Sequence, residues 1–293
     1  MFLNQIRPFL LSLKKKSMNN QQNIKGKTII ITGGSSGIGA AAARILSKMG
    51  AKVVITGRSA ETKKLADELQ CDYYLVDYAK LEEVKKFAET LLAKYPRIDV
   101  LVNNVGGIIK ERRVTVDGME QTFQVNHLSG FMLTKLLQQR LEESNALVIN
   151  TSSMANNVGD IRFNDLHSEQ SYSPMRAYGT AKLMNILHAI EINKRFSNVR
   201  AVSFHPGMVR TGFAREGTGI FKWAYETGIK NWFLISPEKG ADTLIWLIAG
   251  EGFHQLKPGG YYDKRKPGFK SRQAKDELAR KLWNVSEKLI QKT

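Results

Sequence analysis

The chain has 293 residues, of which 42% are hydrophobic, and its formal net charge is +17. This length is sufficient for one large α/β domain or two smaller ones around a sizeable core. Cys71 is the only cysteine, which excludes an intramolecular disulfide and a cysteine-rich metal site.

The positive charge is concentrated at the two ends of the chain. Residues 1–27 carry six Lys or Arg and no acidic residue, and residues 264–293 carry ten against three. The ends therefore hold +13 and the body only +4. Such a charge by itself suggests nucleic acid or an anionic membrane as a partner. Because no nucleic-acid recognition motif accompanies the charge, we predict no nucleic-acid partner. Residues 264–293 are predicted to form a basic C-terminal extension.

We interpret residues 1–24 as an N-terminal tail, either amphipathic or disordered. Residues 1–16, MFLNQIRPFLLSLKKK, place six apolar side chains near one face of a helix, followed by three lysines. The apolar stretch is too short to span a bilayer, and its charge follows it instead of preceding it as in a signal peptide. We expect a cytoplasmic protein whose tail could contact a membrane surface. A disordered tail, or an extension upstream of a true start at Met18, are the alternatives.

Short β-rich runs alternate with helical patterns after the tail. We predict strands at 27–32, 52–56, 72–76, 98–103, 145–151 and 199–204, with a seventh near 260–262. Helices are predicted at 37–49, 60–69, 80–94, 118–142, 175–196 and 237–249. The alternation is typical of βαβ units. The predicted fold class is therefore α/β, a single doubly wound Rossmann domain over 25–263 with a central parallel sheet of about seven strands.

The stretch TGGSSGIG, Thr32 to Gly39, lies between the first predicted strand and the first helix. A glycine-rich turn at this point brings backbone N–H groups and the positive end of a helix against a pyrophosphate. Here Gly33 permits the tight turn, Gly37 a close approach of the backbone and Gly39 close packing of helix and sheet. A plain flexible loop is the alternative. The candidate cofactor-binding residues of this loop are Gly33, Ser35, Ser36, Gly37, Ile38 and Gly39.

The second strand ends in Gly57-Arg58-Ser59, without the acidic residue that accepts the ribose 2′-OH of NAD. Arg58 instead offers a planar cation to a 2′-phosphate, which favours NADP(H) over NAD(H). Alternatively, Arg58 is a solvated surface residue. Asp77, where an adenine amino group could bind, and Asn103 end later strands, at the edge where open parallel sheets collect ligands. Each of these two could equally form an Asx turn.

The stretch AYGTAKLMNI carries the candidate chemistry. Tyr178 and Lys182 are four residues apart, so a helix presents both on one face. We expect the ammonium to lower the phenol's pKa, which makes Tyr178 a general acid/base. Either Ser152 or Ser153 could hydrogen-bond a substrate oxygen. Asn126 could hold a helix or a water in a proton relay, and Lys182 could also bind the nicotinamide ribose.

These motifs resemble those of the short-chain dehydrogenase/reductase superfamily, classical type, over roughly residues 25–262. TGGSSGIG corresponds to the family's T-G-x-x-x-G-x-G and NNVG to its N-N-A-G, with Val105 in place of the usual Ala. The resemblance implies a catalytic tetrad of Asn126, Ser153, Tyr178 and Lys182, because the second serine of such a pair generally acts in this family.

INTSSMANNVGDIRFNDL, HPGMVRTGF and SPEKGADTLIWL are similar to segments of the retinol-dehydrogenase-like branch. This likeness implies an apolar substrate: a retinoid, steroid, lipid aldehyde or xenobiotic carbonyl. HPGMVRT implies further cofactor contacts from Pro206, Gly207, Val209 and Thr211. Residues 208–235, which mix glycine with six aromatic residues, are predicted to form a substrate lid, with a surface excursion as the alternative.

The combined prediction is an NADP(H)-preferring oxidoreductase that transfers hydride between a carbonyl and an alcohol, with a homo-oligomer allowed. The five histidines show no metal-ligand spacing, so no metal is predicted. A non-catalytic NADP(H)-binding regulator on the same fold is the principal alternative. A nucleic-acid binder that uses its basic ends is the weaker one.

Overall fold

The structure, a computed structural model, describes residues 24–207, 235–250 and 256–292. Nearly all of the predicted tail and lid, together with Val209 and Thr211, lie outside the described residues. The roles assigned to them, and the domain boundaries at 24 and 263, stay predictions. In the described ranges, no helix is long and apolar enough to cross a membrane.

An eight-stranded sheet organises the described residues, in the order β3-β2-β1-β4-β5-β6-β7-β8. The strands are β1 (Thr28–Ile31), β2 (Lys52–Gly57), β3 (Asp72–Leu75), β4 (Val100–Asn103), β5 (Leu147–Thr151), β6 (Arg200–His205), β7 (Tyr261–Asp263) and β8 (Lys266–Pro267). β1 to β7 pair in parallel, which confirms the predicted doubly wound fold. β8 adds an antiparallel edge. Lys264 and Arg265, both with positive φ, form the two-residue turn that leads into it.

Helices cover both faces of the sheet. They are α1 (Gly37–Lys48), α2 (Ala60–Leu69), α3 (Leu81–Lys94), α4 (Gln121–Phe123), α5 (Ser129–Leu136), α6 (Gln138–Glu143), α7 (Pro174–Arg195), α8 (Pro237–Ala249) and α9 (Asp276–Ile290). One apolar core contains side chains of α1, α2 and α8, and the other contains side chains of α3, α5, α7 and α9. The central strands are buried on both faces, as their continuous apolar sequences require.

The prediction of one continuous helix over 118–142 is wrong in two respects: the helix begins later, and it is interrupted. Glu120 caps the helix, because its carboxylate accepts hydrogen bonds from the backbone N–H groups of Thr122 and Phe123, so the helix begins at Gln121. A π-helical turn, Gln124–Leu128, then interrupts it. This turn contains Asn126, in line with the tendency of π turns to occur at functional positions.

The basic C-terminal segment contains a helix that sequence reasoning missed. α9 packs against α7 and places Trp283 against Phe131 and Phe196, with ring centroids 4.8 and 5.8 Å away. Its buried residues are Ala279, Leu282, Trp283 and Ser286. Their helical spacing is present in the sequence. The ten basic residues of this segment led instead to the prediction of a basic extension.

Candidate active site

The candidate site lies at the carboxyl edge of the sheet, between β1 and β4. The strand order reverses at this point, because the chain adds β2 and β3 on one side of β1 and β4 onward on the other. In doubly wound sheets such a switch point opens the crevice that binds ligands. The loops that follow β1, β2, β4, β5 and β6 all begin at this edge.

Hydrogen bonds to the neighbouring strands hold the glycine loop, Thr32 to Gly39. The N–H of Gly34 donates to the carbonyl of Thr56 at 2.8 Å, and the N–H of Gly33 donates to the Thr56 hydroxyl at 3.2 Å. Gly33 and Gly37 have φ values of +62° and +52°, which favour glycine. A Cβ on Gly39 would collide with the Gly33 carbonyl oxygen, so Gly39 is required for packing within the loop itself.

The amino end of α1 opens directly from this loop. Ser36 is the N-cap residue, but its side chain makes no capping hydrogen bond, and the first turn has no acidic residue. The first-turn N–H groups, which include those of Gly37, Ile38 and Gly39, therefore present partial positive charge to the crevice. Ser35 lies against Gly57, where a Cβ would collide with its hydroxyl. Sequence reasoning missed this use of Gly57.

Two neighbouring asparagines, Asn103 at the end of β4 and Asn104 directly after it, have different partners. Asn103 points into the protein, where its Nδ2 donates to Thr134 and to Asn150, both at 2.9 Å. Asn104 instead donates from Nδ2 to the carbonyls of Thr32 and Gly33, at 3.0 and 3.3 Å. Successive side chains of a strand leave opposite faces, so only one of the pair can reach the glycine loop. The assignment of Asn103 to cofactor binding stays a prediction, while the side chain that contacts the glycine loop is that of Asn104.

Arg58 lies beyond the end of β2 with 67% of its side chain exposed. Its Nη1 is 3.9 Å from Oδ1 of Asp77, a surface ion pair that contributes little to stability. Oδ1 of Asp77 also accepts from the N–H of Ala79 at 3.1 Å, so Asp77 forms a short local turn. The guanidinium therefore remains accessible to an anion at this end of the crevice.

Pro206 and Gly207 follow β6 at the same edge of the sheet. Gly207 has a φ of +86°, and a Cβ on it would lie 2.7 Å from Cδ1 of Ile235. The positive φ and this close contact both favour glycine at position 207.

The paired serines after β5 also have different partners. Ser152 is buried and donates its hydroxyl to the Lys182 carbonyl at 2.7 Å. Ser153 caps the short 3-10 helix Met154–Val158 and hydrogen-bonds to the Tyr178 phenol. That helix packs closely on α7, because a Cβ on Gly159 would collide with the carbonyl of Gly179. The close approach brings Ser153 to Tyr178.

Lys182 lies beneath Tyr178 and is 2% exposed. Its Nζ is 5.2 Å from the centroid of the Tyr178 ring and donates to the Thr151 carbonyl at 3.3 Å. A Cβ on Gly106 would lie 2.8 Å from this Nζ and would collide with Oδ1 of Asn126. Gly106 therefore lets Asn126 and Lys182 converge on the crevice.

The side chain of Asn126 holds the loop that follows β4. Its Oδ1 accepts from the N–H of Gly107 at 2.9 Å, while its Nδ2 donates to the carbonyls of Gly107 and Thr122, both at 3.0 Å. The side chain thus bridges the loop and the π turn.

The expected lowering of the Tyr178 pKa by Lys182 is wrong, because burial has the larger effect. Burial raises the pKa of Tyr178 well above its ordinary value, and the Ser153 hydrogen bond opposes this only in part. Burial also lowers the pKa of Lys182 to about 7, so near neutral pH this lysine carries only part of its charge. Desolvation penalises phenolate and ammonium alike. Tyr178 therefore keeps its proton.

The residues present fit an anionic dinucleotide. The exposed Arg58 cation, the uncapped amino end of α1 and the buried Lys182 amine line one crevice. Gly106 leaves room beside the amine, because a Cβ there would lie against Nζ of Lys182. Through residues 24–207, 235–250 and 256–292, no group of three His, Cys, Asp or Glu side chains is placed to bind a metal ion.

Comparison with known proteins gives concordant matches. The family model for short chain dehydrogenase matches residues 27–218. A Streptomyces sp. (strain C5) protein, provisionally named daunorubicin C-13 ketoreductase, is 42% identical over 272 residues, with coverage of 90% of this chain and 92% of that protein. Retinol dehydrogenase 12 of Mus musculus is 35% identical over 279 residues, with coverage of 91% and 87%.

A solved structure of an uncharacterized protein from Mycobacterium paratuberculosis shares the fold. Its TM-score is 0.75 at 29% identity, with coverage of 92% of this chain and 96% of that chain. The family model spans well over half of the chain, and two relatives above 30% identity cover nearly all of it. The chain therefore belongs to the short-chain dehydrogenase/reductase superfamily, in the branch that contains the retinol dehydrogenases.

Proposed function

We propose that the protein is an NADP(H)-preferring oxidoreductase that interconverts a carbonyl and an alcohol on an apolar substrate. The observation that carries the proposal is the Tyr178 phenol, protonated by burial and hydrogen-bonded to Ser153, directly above the buried Lys182. A bound nicotinamide supplies the hydride acceptor or donor. The chain's own residues then have to bind the dinucleotide, orient the substrate oxygen and move one proton.

Different residues of the crevice would bind different parts of the dinucleotide. The N–H groups at the amino end of α1 would hold the pyrophosphate, because they offer partial positive charge without a competing cap. Arg58 would hold the 2′-phosphate through its exposed guanidinium. Lys182 would donate to the hydroxyls of the nicotinamide ribose, since its Nζ already uses a neutral carbonyl as acceptor.

Tyr178 and Ser153 act on the substrate oxygen. In the reduction direction Tyr178 donates its phenolic proton to the oxygen as negative charge develops there. The Ser153 hydroxyl stabilises that charge by a hydrogen bond. Because the pKa of Tyr178 is raised, the proton donor is present across the neutral range. Asn126 holds the loop that follows β4, close to Nζ of Lys182.

A panel of carbonyl compounds tests this proposal. Retinal, an anthracycline ketone, steroid ketones, fatty aldehydes and quinones are incubated with NADPH or NADH while the nucleotide absorbance is followed. The first two represent the substrates in the names of two relatives. We expect turnover of at least one apolar compound, faster with NADPH. Nucleotide binding without turnover of any compound would favour the regulatory alternative.

Replacement of Arg58 tests the cofactor preference. We expect Arg58→Ala to raise the KM for NADPH about 10- to 100-fold, as the loss of a charge-assisted hydrogen bond predicts. The KM for NADH should change less than about threefold, because NADH lacks the 2′-phosphate. Lys85→Ala, which removes an exposed cation on α3, is the matched control and should change neither value. Equal effects of Arg58→Ala on the two nucleotides would refute the assignment.

A further inference from the structure

A buried polar chain connects the C-terminal helix to the catalytic lysine. It runs from Ser286 on α9 through His127 to Asn185 on α7, one turn after Lys182. All three side chains are almost completely buried. None of the three belongs to the tetrad that the family likeness implies.

Asn185 donates from Nδ2 to the backbone carbonyls of Asn126 and Thr151, both at 3.0 Å. The Thr151 carbonyl is the same atom that accepts from Nζ of Lys182. One amide group therefore links the strand end beneath Lys182 to the π turn that contains Asn126. A shift of this amide would move both carbonyls relative to the lysine.

The direction of each hydrogen bond in this chain follows from its acceptors. Backbone carbonyls cannot donate, so both hydrogens of the Asn185 amide are used, and its Oδ1 can only accept. Its partner at 3.3 Å, Nδ1 of His127, must therefore carry a hydrogen. Burial lowers the pKa of His127 to about 4, so the ring is neutral and has a single N–H. Nε2 of His127 is then an acceptor, and the Ser286 hydroxyl, 3.3 Å away, must donate to it.

We propose that Asn185 is a positioning residue for Lys182, and that Ser286 and the δ1-protonated tautomer of His127 hold its amide in the required orientation. The C-terminal helix is thereby part of the apparatus that places the catalytic lysine. This role rests on the proposed oxidoreductase function. Asn150, on β5, also fixes the backbone of Asn185, because its Nδ2 donates to the Asn185 carbonyl at 3.0 Å.

The tautomer of His127 is tested without any turnover. Long-range proton–nitrogen NMR of the nucleotide-free protein labelled with nitrogen-15 in histidine, with His127→Asn for assignment, should show a protonated Nδ1 and an unprotonated Nε2 at neutral pH. The opposite tautomer, or an imidazolium, would overturn the proposed direction of the chain. This measurement stands even if no substrate is found.

Two substitutions of His127 form a matched pair. Asn places its amide nitrogen near the position of Nδ1 and can donate to Asn185, whereas Gln reaches toward the position of Nε2 and can serve only Ser286. We expect His127→Asn to keep kcat within about threefold. His127→Gln and Asn185→Leu should lower kcat about tenfold, the effect of one lost hydrogen bond. The Kd for NADPH should stay within about threefold in all three variants.

A purely structural role for His127 predicts a different result. The two His127 variants would then lose activity in proportion to their loss of thermal stability. The difference in kcat between His127→Asn and His127→Gln would disappear when each variant is assayed at the same number of degrees below its own Tm. Such a result, or an equal kcat for the two variants, would refute the positioning role. A wild-type protein that turns over no compound would refute the proposed function instead.

Discussion

Tyr178→Phe should lower kcat by roughly 10²- to 10⁴-fold with the best carbonyl substrate, the usual contribution of a positioned general acid. The substitution removes the only group in the crevice to which we assign proton donation and leaves the ring in place. Lys182 and the glycine loop keep their contacts, so the Kd for NADPH should change less than about threefold. Steady-state kinetics and fluorescence titration of the nucleotide measure the two quantities separately.

The matched control for this substitution is Tyr74→Phe, which removes a partly buried phenol on β3, away from the crevice. It should leave kcat unchanged. If Tyr178→Phe keeps more than about a tenth of the wild-type kcat, Tyr178 is not the proton donor. Ser153, the other hydroxyl at this point, would then be the group to replace next.

Lys182→Met should stabilise the nucleotide-free protein and impair its turnover. In the unfolded chain this lysine has its ordinary pKa of 10.5, and in the folded protein burial lowers that pKa to about 7. Between these values the unfolded chain binds more protons, so the wild type gains stability as pH rises through this window. Met avoids the cost of a buried amine, and Asn185 still donates to the Thr151 carbonyl that Lys182 leaves.

Urea unfolding at a series of pH values measures this effect. We expect Lys182→Met to raise the free energy of unfolding by roughly 2 to 4 kcal/mol at pH 6.5, with the gain shrinking toward zero near pH 10. Lys85→Met is the control, because its ammonium is exposed on α3 and its replacement should give no pH-dependent difference. A gain that does not vary with pH would show that the Lys182 amine is not destabilised by burial.

The order of strands and helices was largely readable from the sequence. The apolar runs predicted seven strands in their correct places, because a parallel sheet buries both of its faces and so requires continuous apolar segments. The helix predicted over 118–142 failed where a Glu120 cap and a π turn overrode local propensity. The prediction of a basic extension over 264–293 omits α9, although the apolar residues of this helix have helical spacing.

Within the candidate site, local patterns predicted the residues that depend on local geometry. The spacing of four between Tyr178 and Lys182 was sufficient to place both on one helical face. The roles of two adjacent residues of the same type depend instead on tertiary packing. Ser152 and Ser153 differ in their partners only because α7 lies beside β5. Asn103 and Asn104 differ because one faces the core and the other the glycine loop.

The sequence by itself determined the α/β class, since this depends on the periodicity of the apolar residues. The spacing of a few residues predicted the glycine loop and the Tyr178–Lys182 pair, whereas the family resemblance implied the places of Ser153 and Asn126 in the candidate tetrad. Only the tertiary structure decided the direction of the Tyr178 and Lys182 pKa shifts, because burial is a property of the packed protein. It alone also joined Ser286 to His127, which are 159 residues apart. Contacts at such separation leave no periodic pattern in one sequence, because their geometry exists only after α9 has packed against α7.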